Sequence, residues 1–356
     1  MKITMVEYQG RVDENGQAVG HGPKVLNDYI ALLKNVLDIE VFAPKAVLKA
    51  AGSSMKGRAK VLKKQIVMRG GKSVFTRISE KFGMFKNIRD SLQHAEGDIL
   101  WFFNVEFYLM LYLAMHRRPK QKIVCTLFLD GYHGGIVARI KQKIFEKAQK
   151  KIDYIIATGP QLTFKNTEYT FLPDYGCDEE KYSPYRRKIK NGQAIILGTM
   201  GPEKELEQAV ETFHKLDMPL TIAGRFHDKE RLARLKELAG EKITFVDSYL
   251  TEQQYLSMLA DSSYVLLPYA PKKYATQTSG VLQEAVFVGT IPLGYEAVLS
   301  GNGVAGVVFQ SWADVTDRLL SQNHDAIYEK LADLRNTVYN QEKLGKELYH
   351  IFEKLQ

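Results

Sequence analysis

Three turns in this chain of 356 residues carry residue types suited to holding an anion. The first, Gly16-Gln17-Ala18-Val19-Gly20-His21-Gly22-Pro23, follows a strand-like run and precedes a helical pattern. Glycines there, Gly20 among them, let a backbone approach a ligand closely, and the amides opening the next helix can hold a negative group. The same residues would equally serve an ordinary strand-to-helix turn. The second turn runs from Ile195 through Gly198, Thr199, Gly201 and Pro202 to Lys204. Lys204 is expected in the first helical turn, where a cation is unfavourable beside the positive helix end. A residue that violates its local preference points to an anionic ligand. The alternative is a solvated lysine between Glu203 and Glu205. The third turn, Gln277-Thr278-Ser279-Gly280, opens the helical run Val281-Leu282-Gln283-Glu284-Ala285. Hydroxyls and a glycine at a helix N-terminus form an anion site from backbone donors. Glu284, about one and a half turns further on, is placed to accept hydrogen bonds from vicinal hydroxyls such as those of a ribose. A plain Ser/Thr N-cap followed by a solvent-facing glutamate is the simpler alternative. The apolar continuation Ala285 to Val288 favours a Glu284 that faces a cleft or a partner.

Four stretches in the C-terminal half, taken in order, resemble the retaining, family 4 branch of the GT-B glycosyltransferases. Leu172 to Pro184 (L-P-D-Y-G-C-D-E-E-K-Y-S-P) resembles the family's P-N-G-V-D-x-x-x-F-x-P segment. Gly198 to Lys204 resembles G-R-L-x-P-E-K, and Leu220 to Gly224 resembles the strand that ends beside the nucleotide base. Thr276 to Gly289, followed by Ile291-Pro292-Leu293, resembles the E-x7-E element with its E-A-x-x-x-G-x-P-V tail. Two positions depart from the family pattern: its arginine is Thr199, and its first glutamate is Thr276. Arg225, directly after Gly224, is a candidate for the missing positive charge, in which case Arg225→Ala should weaken donor binding more than Arg231→Ala. In the N-terminal half, Thr126 to Gly135 follows a strand and resembles a family loop written H-D-x-x-x-x-G. The family's histidine falls on Leu129, with His133 four residues on as its replacement or as a structural residue. Glu106 stands at another strand end, where cleft-lining residues collect.

The resemblance implies a GT-B fold: two Rossmann-like, doubly wound parallel-sheet domains facing a central cleft. It assigns the nucleotide-sugar donor to the C-terminal domain through Gly198, Lys204, Gly224, Arg225, Thr278, Ser279, Gly280 and Glu284, with Gly20 contributed by the N-terminal domain. Lys204, Ser279 and Gly280 would stabilise the departing diphosphate, Glu284 would hold the ribose, and Asp130 and His133 would orient the acceptor or the sugar. The expected reaction is hexose transfer with retention, from UDP-sugar by preference and GDP-sugar next, to a glycan or lipid-linked acceptor. No cofactor or metal is expected, since no D-x-D element is present and helix dipoles with a lysine would neutralise the leaving group. Two other readings stay open. One is a catalytically inert paralogue acting as a partner subunit, favoured by Thr199 and Thr276. The other is a nucleotide-sugar epimerase of the same architecture.

Positioning such turns requires strands that end beside them. Lys2–Glu7, Ile39–Phe42, Gln65–Arg69, Ile99–Phe103, Ile123–Phe128, Tyr154–Ala157 and Tyr169–Leu172 read as strands. Amphipathic stretches at Val25–Leu37, Val74–Gln93 and Ile136–Lys150 separate them, the alternation of a parallel sheet with helices on both faces. The apolar run Ile99 to Met115 contains Asn104 and Glu106 and reads as a strand followed by a buried helix. Pro184 to Gly192 reads as the interdomain linker. The pattern restarts with strands at Ala194–Leu197, Leu220–Ala223, Ile243–Val246 and Tyr264–Leu267 and ends on two helices, Asp325–Val338 and Gln341–Lys354. These readings divide the chain into an acceptor domain (1–187), a nucleotide-sugar domain (188–340) and a C-terminal helix (341–356) placed against the N-terminal domain.

Composition agrees with a two-domain globular protein: 45% of residues are hydrophobic and 25% charged. Two cysteines, Cys125 and Cys177, are too few for a disulfide framework and fit a reducing, cytoplasmic setting. The opening Met1 to Val6 reads as a strand and lacks the apolar core of a signal peptide. Charge is uneven, with 33 Lys/Arg against 19 Asp/Glu through Lys190 and 16 against 22 beyond it. Eleven cations and one acid, Glu80, occupy Lys56 to Arg89. This is either a solvated helical face or attraction to an anionic surface. Nucleic acid is disfavoured, since no recognition motif accompanies the charge. The expected partner is the inner face of a cell membrane, reached by a peripheral, basic N-terminal face.

Overall fold

The computed structural model describes all residues except 20–21, 52–57, 69–72, 104, 188 and 272–278, and the side chains of Val74 and Arg77 are likewise outside the description. Gly20 and Thr278 of the expected site, and Thr276, therefore fall outside the described residues, as do Lys56, Arg69 and Lys72 of the basic run. Two units result. The first comprises residues 1–158, 162–176 and 341–356, and the second comprises 159–161 and 177–340.

Unit 1 begins β1 (Lys2–Val6), β2 (Arg11–Val12), α1 (Gly22–Leu33), β3 (Asp38–Pro44), α2 (Lys45–Ala50), β4 (Ala59–Leu62) and β5 (Ile66–Val67). It continues through α3 (Val74–His94), β6 (Ile99–Phe102), α4 (Phe107–Met115), β7 (Lys122–Leu127), α5 (Ile136–Gln149), β8 (Tyr154–Ala157) and β9 (Tyr169–Phe171). Seven strands form one parallel sheet in the order β4-β3-β1-β6-β7-β8-β9. Aliphatic and aromatic strands such as Ile99–Phe102 and Tyr154–Ala157 are buried at every position, as a sheet covered on both faces demands. From β1 the chain steps one way through α1 and α2, and from β6 it steps the other way through α4 and α5. Right-handed crossovers therefore put α1 and α2 on one face, and α4 and α5 on the other. The chain's last helix lies against α1, and its Phe352 ring sits 5.3 Å from Trp101, which in turn lies 4.5 Å from Tyr29 of α1.

The expected strand around Gln65–Arg69 does not join this sheet. Ile66 and Val67 pair instead with Arg11 and Val12 in a separate two-stranded sheet. The edge strand β4 has no counterpart in the sequence reading, because three of its four residues are exposed and it carries no apolar run. The run Ile99 to Met115 divides as expected into strand β6 and the largely buried helix α4.

Unit 2 contains α6 (Glu179–Tyr182), β10 (Ala194–Leu197), α7 (Leu206–Phe213), β11 (Leu220–Ala223), α8 (Lys229–Leu238), β12 (Ile243–Val246), α9 (Glu252–Asp261) and β13 (Tyr264–Leu267). Then come α10 (Gly280–Val288), β14 (Ile291–Tyr295), α11 (Glu296–Gly301), β15 (Val307–Phe309), α12 (Asp317–Leu320) and α13 (Asp325–Thr337), after which α14 (Gln341–Lys354) returns to unit 1. Six parallel strands run β12-β11-β10-β13-β14-β15. Residues 177–187 belong to this unit: the Tyr182 ring packs 4.9 Å from Phe287, and Arg186 Nε donates to the Phe287 carbonyl at 2.9 Å. The two-domain, doubly wound α/β class expected from the sequence is the one observed.

Strand order reverses direction between β1 and β6 in the first sheet and between β10 and β13 in the second. In open α/β sheets the crevice outside the carboxyl ends of such neighbouring strands is where ligands bind.

Candidate functional site

At the β10/β13 reversal, Gly198 follows β10 with φ +95° and Gly224 follows β11 with φ +141°. A Cβ on Gly224 would stand 2.0 Å from the Gly198 carbonyl oxygen, so the two strand ends touch backbone to backbone and only glycine fits. A Cβ on Gly198 would point at Lys204 Nζ (3.8 Å) and Val281 (3.9 Å). The open side of Gly198 thus faces both the lysine and the first turn of α10. Ser279 caps α10, its hydroxyl accepting from Leu282 N–H at 3.4 Å and standing 3.2 Å from the Tyr269 hydroxyl. Gly198, Lys204, Gly224, Ser279 and Gly280 are therefore brought together around one helix N-terminus.

Lys204 is not in the first turn of a helix, as the sequence pattern suggests. It precedes α7, whose cap is Glu205, and pairs with Tyr269 as an isolated antiparallel bridge. Its side chain is only 5% exposed. Its ammonium donates to the Leu197 carbonyl at 2.7 Å and reaches Met200 Sδ at 3.8 Å, and it forms no ion pair among the described residues. The flanking Glu205 does not solvate or pair with it, because that carboxylate accepts from Tyr295 and Trp312, each at 2.8 Å. Burial lowers the Lys204 pKa to about 8, against the weaker opposing pull of Glu203. A buried cation held by a carbonyl and a thioether, beside a positive helix end, is short of negative charge. An anion such as a diphosphate would complete it.

Glu284 lies on α10, about 6 Å along the axis from Gly280. It is half-buried and hydrogen-bonded to Tyr255 of α9, whose phenol is pushed up first by burial and then by the Glu284 charge. Arg225 is exposed, and its backbone carbonyl accepts from Met200 N–H at 3.0 Å. Arg231 proves to be no neutral neighbour. From α8 its guanidinium donates to the Gly201 carbonyl (2.8 Å), the Lys204 carbonyl (2.7 Å) and Glu207 (2.7 Å), stapling the loop that carries Lys204. No sequence pattern marks that role, because the contact joins residues about thirty positions apart.

In unit 1 the β1/β6 reversal holds a pocket of about 420 Å³ lined by Glu7, Arg11, Glu106, Phe107, Phe128 and Tyr132, among others. Glu7, 2% exposed, accepts from the backbone amides of Gln9 (2.8 Å) and Gly10 (3.0 Å). Glu106 immediately precedes α4 and forms an ion pair with Arg11, and its amide donates to the Tyr8 hydroxyl at 2.9 Å. The loop after β7 lines the pocket with Phe128, Leu129 and Tyr132. His133 of that loop is 86% exposed, with Nε2 3.9 Å from Asp130, whose other oxygen accepts from Thr163 N–H at 3.4 Å. Asp130 and His133 thus lie near one another but are not among the residues lining the pocket. Gly16, with φ +74°, closes the Asp13–Gln17 turn, in which Asp13 accepts from the Asn15 and Gln17 amides. Gly22 and Pro23 line the pocket.

No protein-family model matches the chain, and no curated protein matches it in sequence. Solved structures do match across its length. Anabaena HepE in complex with UDP and glucose aligns with a TM-score of 0.66 at 12% identity, covering 99% of this chain and 100% of that one. An Escherichia coli trehalose-6-phosphate protein bound with UDP-2-fluoro glucose aligns at 0.68 and 10%, covering 100% and 99%. A Listeria monocytogenes protein described as a UDP-N-acetylglucosamine 2-epimerase aligns at 0.56 and 13%, covering 98% and 94%. With two doubly wound parallel sheets and these neighbours over nearly their whole lengths, the chain has the GT-B fold.

Proposed function

We propose that the chain is a glycosyltransferase that binds a nucleotide-diphosphate sugar, UDP-linked by preference, at the β10/β13 end of unit 2. The buried Lys204 beside the α10 N-terminus, without an ion pair among the described residues, carries this reading. Likeness to proteins solved with UDP and glucose or UDP-2-fluoro glucose supports the donor class. In this reading Lys204, Ser279 and Gly280 take the growing charge of the diphosphate, where preorganised donors contribute most. Glu284, held by Tyr255, accepts the ribose hydroxyls, and exposed Arg225 supplies the cation that Thr199 does not.

The acceptor is assigned to the unit 1 pocket, where Glu7, Glu106 and Arg11 offer hydrogen bonds to hydroxyls and Phe107, Phe128 and Tyr132 offer ring faces to a sugar. Asp130 and His133 belong to the same acceptor loop. The bond from the anomeric carbon to diphosphate oxygen breaks, and the acceptor oxygen bonds to that carbon on the same face. The acceptor's proton leaves on the diphosphate. The acceptor is a glycan or a lipid-linked sugar, and the enzyme works peripherally at the inner face of a membrane. Among the described residues no helix is long and apolar enough to cross a membrane.

A thermal-shift series with UDP, GDP and their hexoses tests this. A ligand at one hundred times its Kd adds about 2.7 kcal/mol. A shift with one nucleotide that disappears in Lys204→Met and Glu284→Ala supports the donor site, and no shift with any nucleotide removes it. The likeness to the Listeria protein favours one second reading, interconversion of a nucleotide sugar without an acceptor. Proton NMR of the sugar nucleotide incubated alone with the protein detects that reaction.

A further inference from the structure

Three helices lie side by side on one face of the unit 1 sheet, with α4 between α3 and α5. Each leads back to the amino end of the strand it precedes, so all three begin at the sheet's carboxyl edge. Cation–ring contacts of two lysines fix their levels. Lys81 of α3 lies over Tyr108 at 5.6 Å, and Lys141 of α5 lies over Phe107 at 5.2 Å and Tyr132 at 5.5 Å. The residues of α3 and α5 that precede these lysines therefore extend past the start of α4.

Those overhanging turns are apolar and bare. On α3, Phe75 is 84% exposed and Ile78 is exposed within the overhang, and Phe82, 69% exposed, follows Lys81 beside the groove against α4, a spacing that puts all three on one helix face. On α5, Ile136 is 76% exposed and is joined by exposed Val137 and Ile140. Among the described residues neither triplet has packing inside unit 1 that would explain its composition, and isolated exposed apolar residues do not cluster this way. Cations follow both triplets along the helices: Lys81, Lys86 and Arg89 on α3, the last two beside Phe82, and Arg139, Lys143 and Lys147 on α5. The acids on the two helices are Glu80, Asp90 and Glu146.

We infer that the N-terminal halves of α3 and α5 form a two-pronged anchor that inserts Phe75, Ile78, Phe82, Ile136, Val137 and Ile140 into an anionic lipid bilayer. Apolar side chains on one helix face, flanked by lysine and arginine, are the pattern of helices that lie in the membrane interface. The surrounding cations match the negative surface of such a leaflet. The anchor is more specific than a general attraction of the basic run, because it places binding energy in six named side chains. It also brings the pocket to the lipid, since Glu106 and Phe107 open α4 between the prongs and Tyr132 precedes α5 at the same edge. The inference rests on the acceptor reading only for what the apposed pocket receives, a sugar carried on a lipid.

Flotation with vesicles of phosphatidylcholine containing one-third phosphatidylglycerol tests it, with pure phosphatidylcholine alongside. The parent protein should float with the anionic vesicles. Phe75→Ser/Phe82→Ser/Ile136→Ser should lower its partition coefficient about a hundredfold while leaving its melting temperature and its UDP shift unchanged. Both native cysteines are buried, so Val137→Cys accepts an environment-sensitive dye selectively, and its emission should rise and shift to the blue on vesicles. Absence of flotation by the parent at low salt overturns the inference, as does equal flotation by the serine variant. Self-association of the parent that the serine variant abolishes would also overturn it, assigning the face to a second copy. A missing UDP shift would remove the transferase reading and leave the vesicle result standing.

Discussion

Replacing Lys204 with methionine should make the unliganded protein more stable and abolish its response to nucleotide. The ammonium is buried, and burial lowers its pKa from an ordinary 10.5 to about 8. The unfolded chain therefore binds this proton more tightly than the folded one, and the charge opposes folding. That opposition is fully present below pH 8 and is relieved as pH rises from 8 to 10.5. The difference corresponds to about 3 kcal/mol at neutral pH. Methionine fills nearly the same volume but orphans the Leu197 carbonyl, at a cost of about 1 kcal/mol. The net gain of about 2 kcal/mol should raise the melting temperature of a domain of this size by roughly 4–8 °C. Differential scanning fluorimetry from pH 7 to 10 measures it. The parent should gain stability relative to the variant as pH falls from 10 to 7 only if the reasoning is wrong. A bound diphosphate should return the pKa upward, so UDP binding near pH 8 takes up about half a proton, measurable by calorimetry in buffers of different ionisation enthalpy. A destabilised Lys204→Met that still binds UDP would refute both the strain and the site.

Four further outcomes are expected. Arg231→Ala should cost about 2–3 kcal/mol, by urea denaturation, and weaken UDP binding, since it frees the Gly201 and Lys204 carbonyls and leaves Glu207 unpaired. Gly224→Ala should cost about 3 kcal/mol or more, because its Cβ would collide with the Gly198 carbonyl oxygen; near-parental melting would contradict the backbone contact. Tyr255→Phe should leave melting nearly unchanged, weaken UDP binding about fivefold, and narrow the preference for UDP over 2′-deoxy-UDP, a change that a purely packing role would not produce. Arg11→Ala should lower kcat/KM for the acceptor about tenfold while the UDP shift persists, and loss of that shift would place Arg11 outside the acceptor reading.

Much of the architecture is legible in local pattern. Ala194–Leu197 and Leu220–Ala223 are short, wholly buried segments, apolar but for Thr221 and each followed by glycine, and a strand buried on both faces has little other way to be written. Ser279 before Gly280 marks a helix start by capping chemistry alone, and the helix begins there. Edge strands escape this reading: β4 is exposed on most of its length, so its pairing with β3 depends on backbone hydrogen bonds that no side-chain pattern reports.

For the site, local pattern was enough to nominate Gly198, Lys204 and Ser279 in strand-to-helix turns and Glu284 a turn and a half beyond, and the family resemblance added Gly224. What Lys204 does there was decided by tertiary structure. Glu205 turns to Tyr295 and Trp312, Arg231 reaches across from α8, and the ammonium is left buried against Leu197 and Met200 without a carboxylate among the described residues. Likewise Arg11 and Glu106 are 95 residues apart and meet only because β1 and β6 are neighbours in the sheet. A local sequence window records what a residue can do, whereas burial, pairing and charge balance depend on partners that only the folded sheet order brings within a few ångströms.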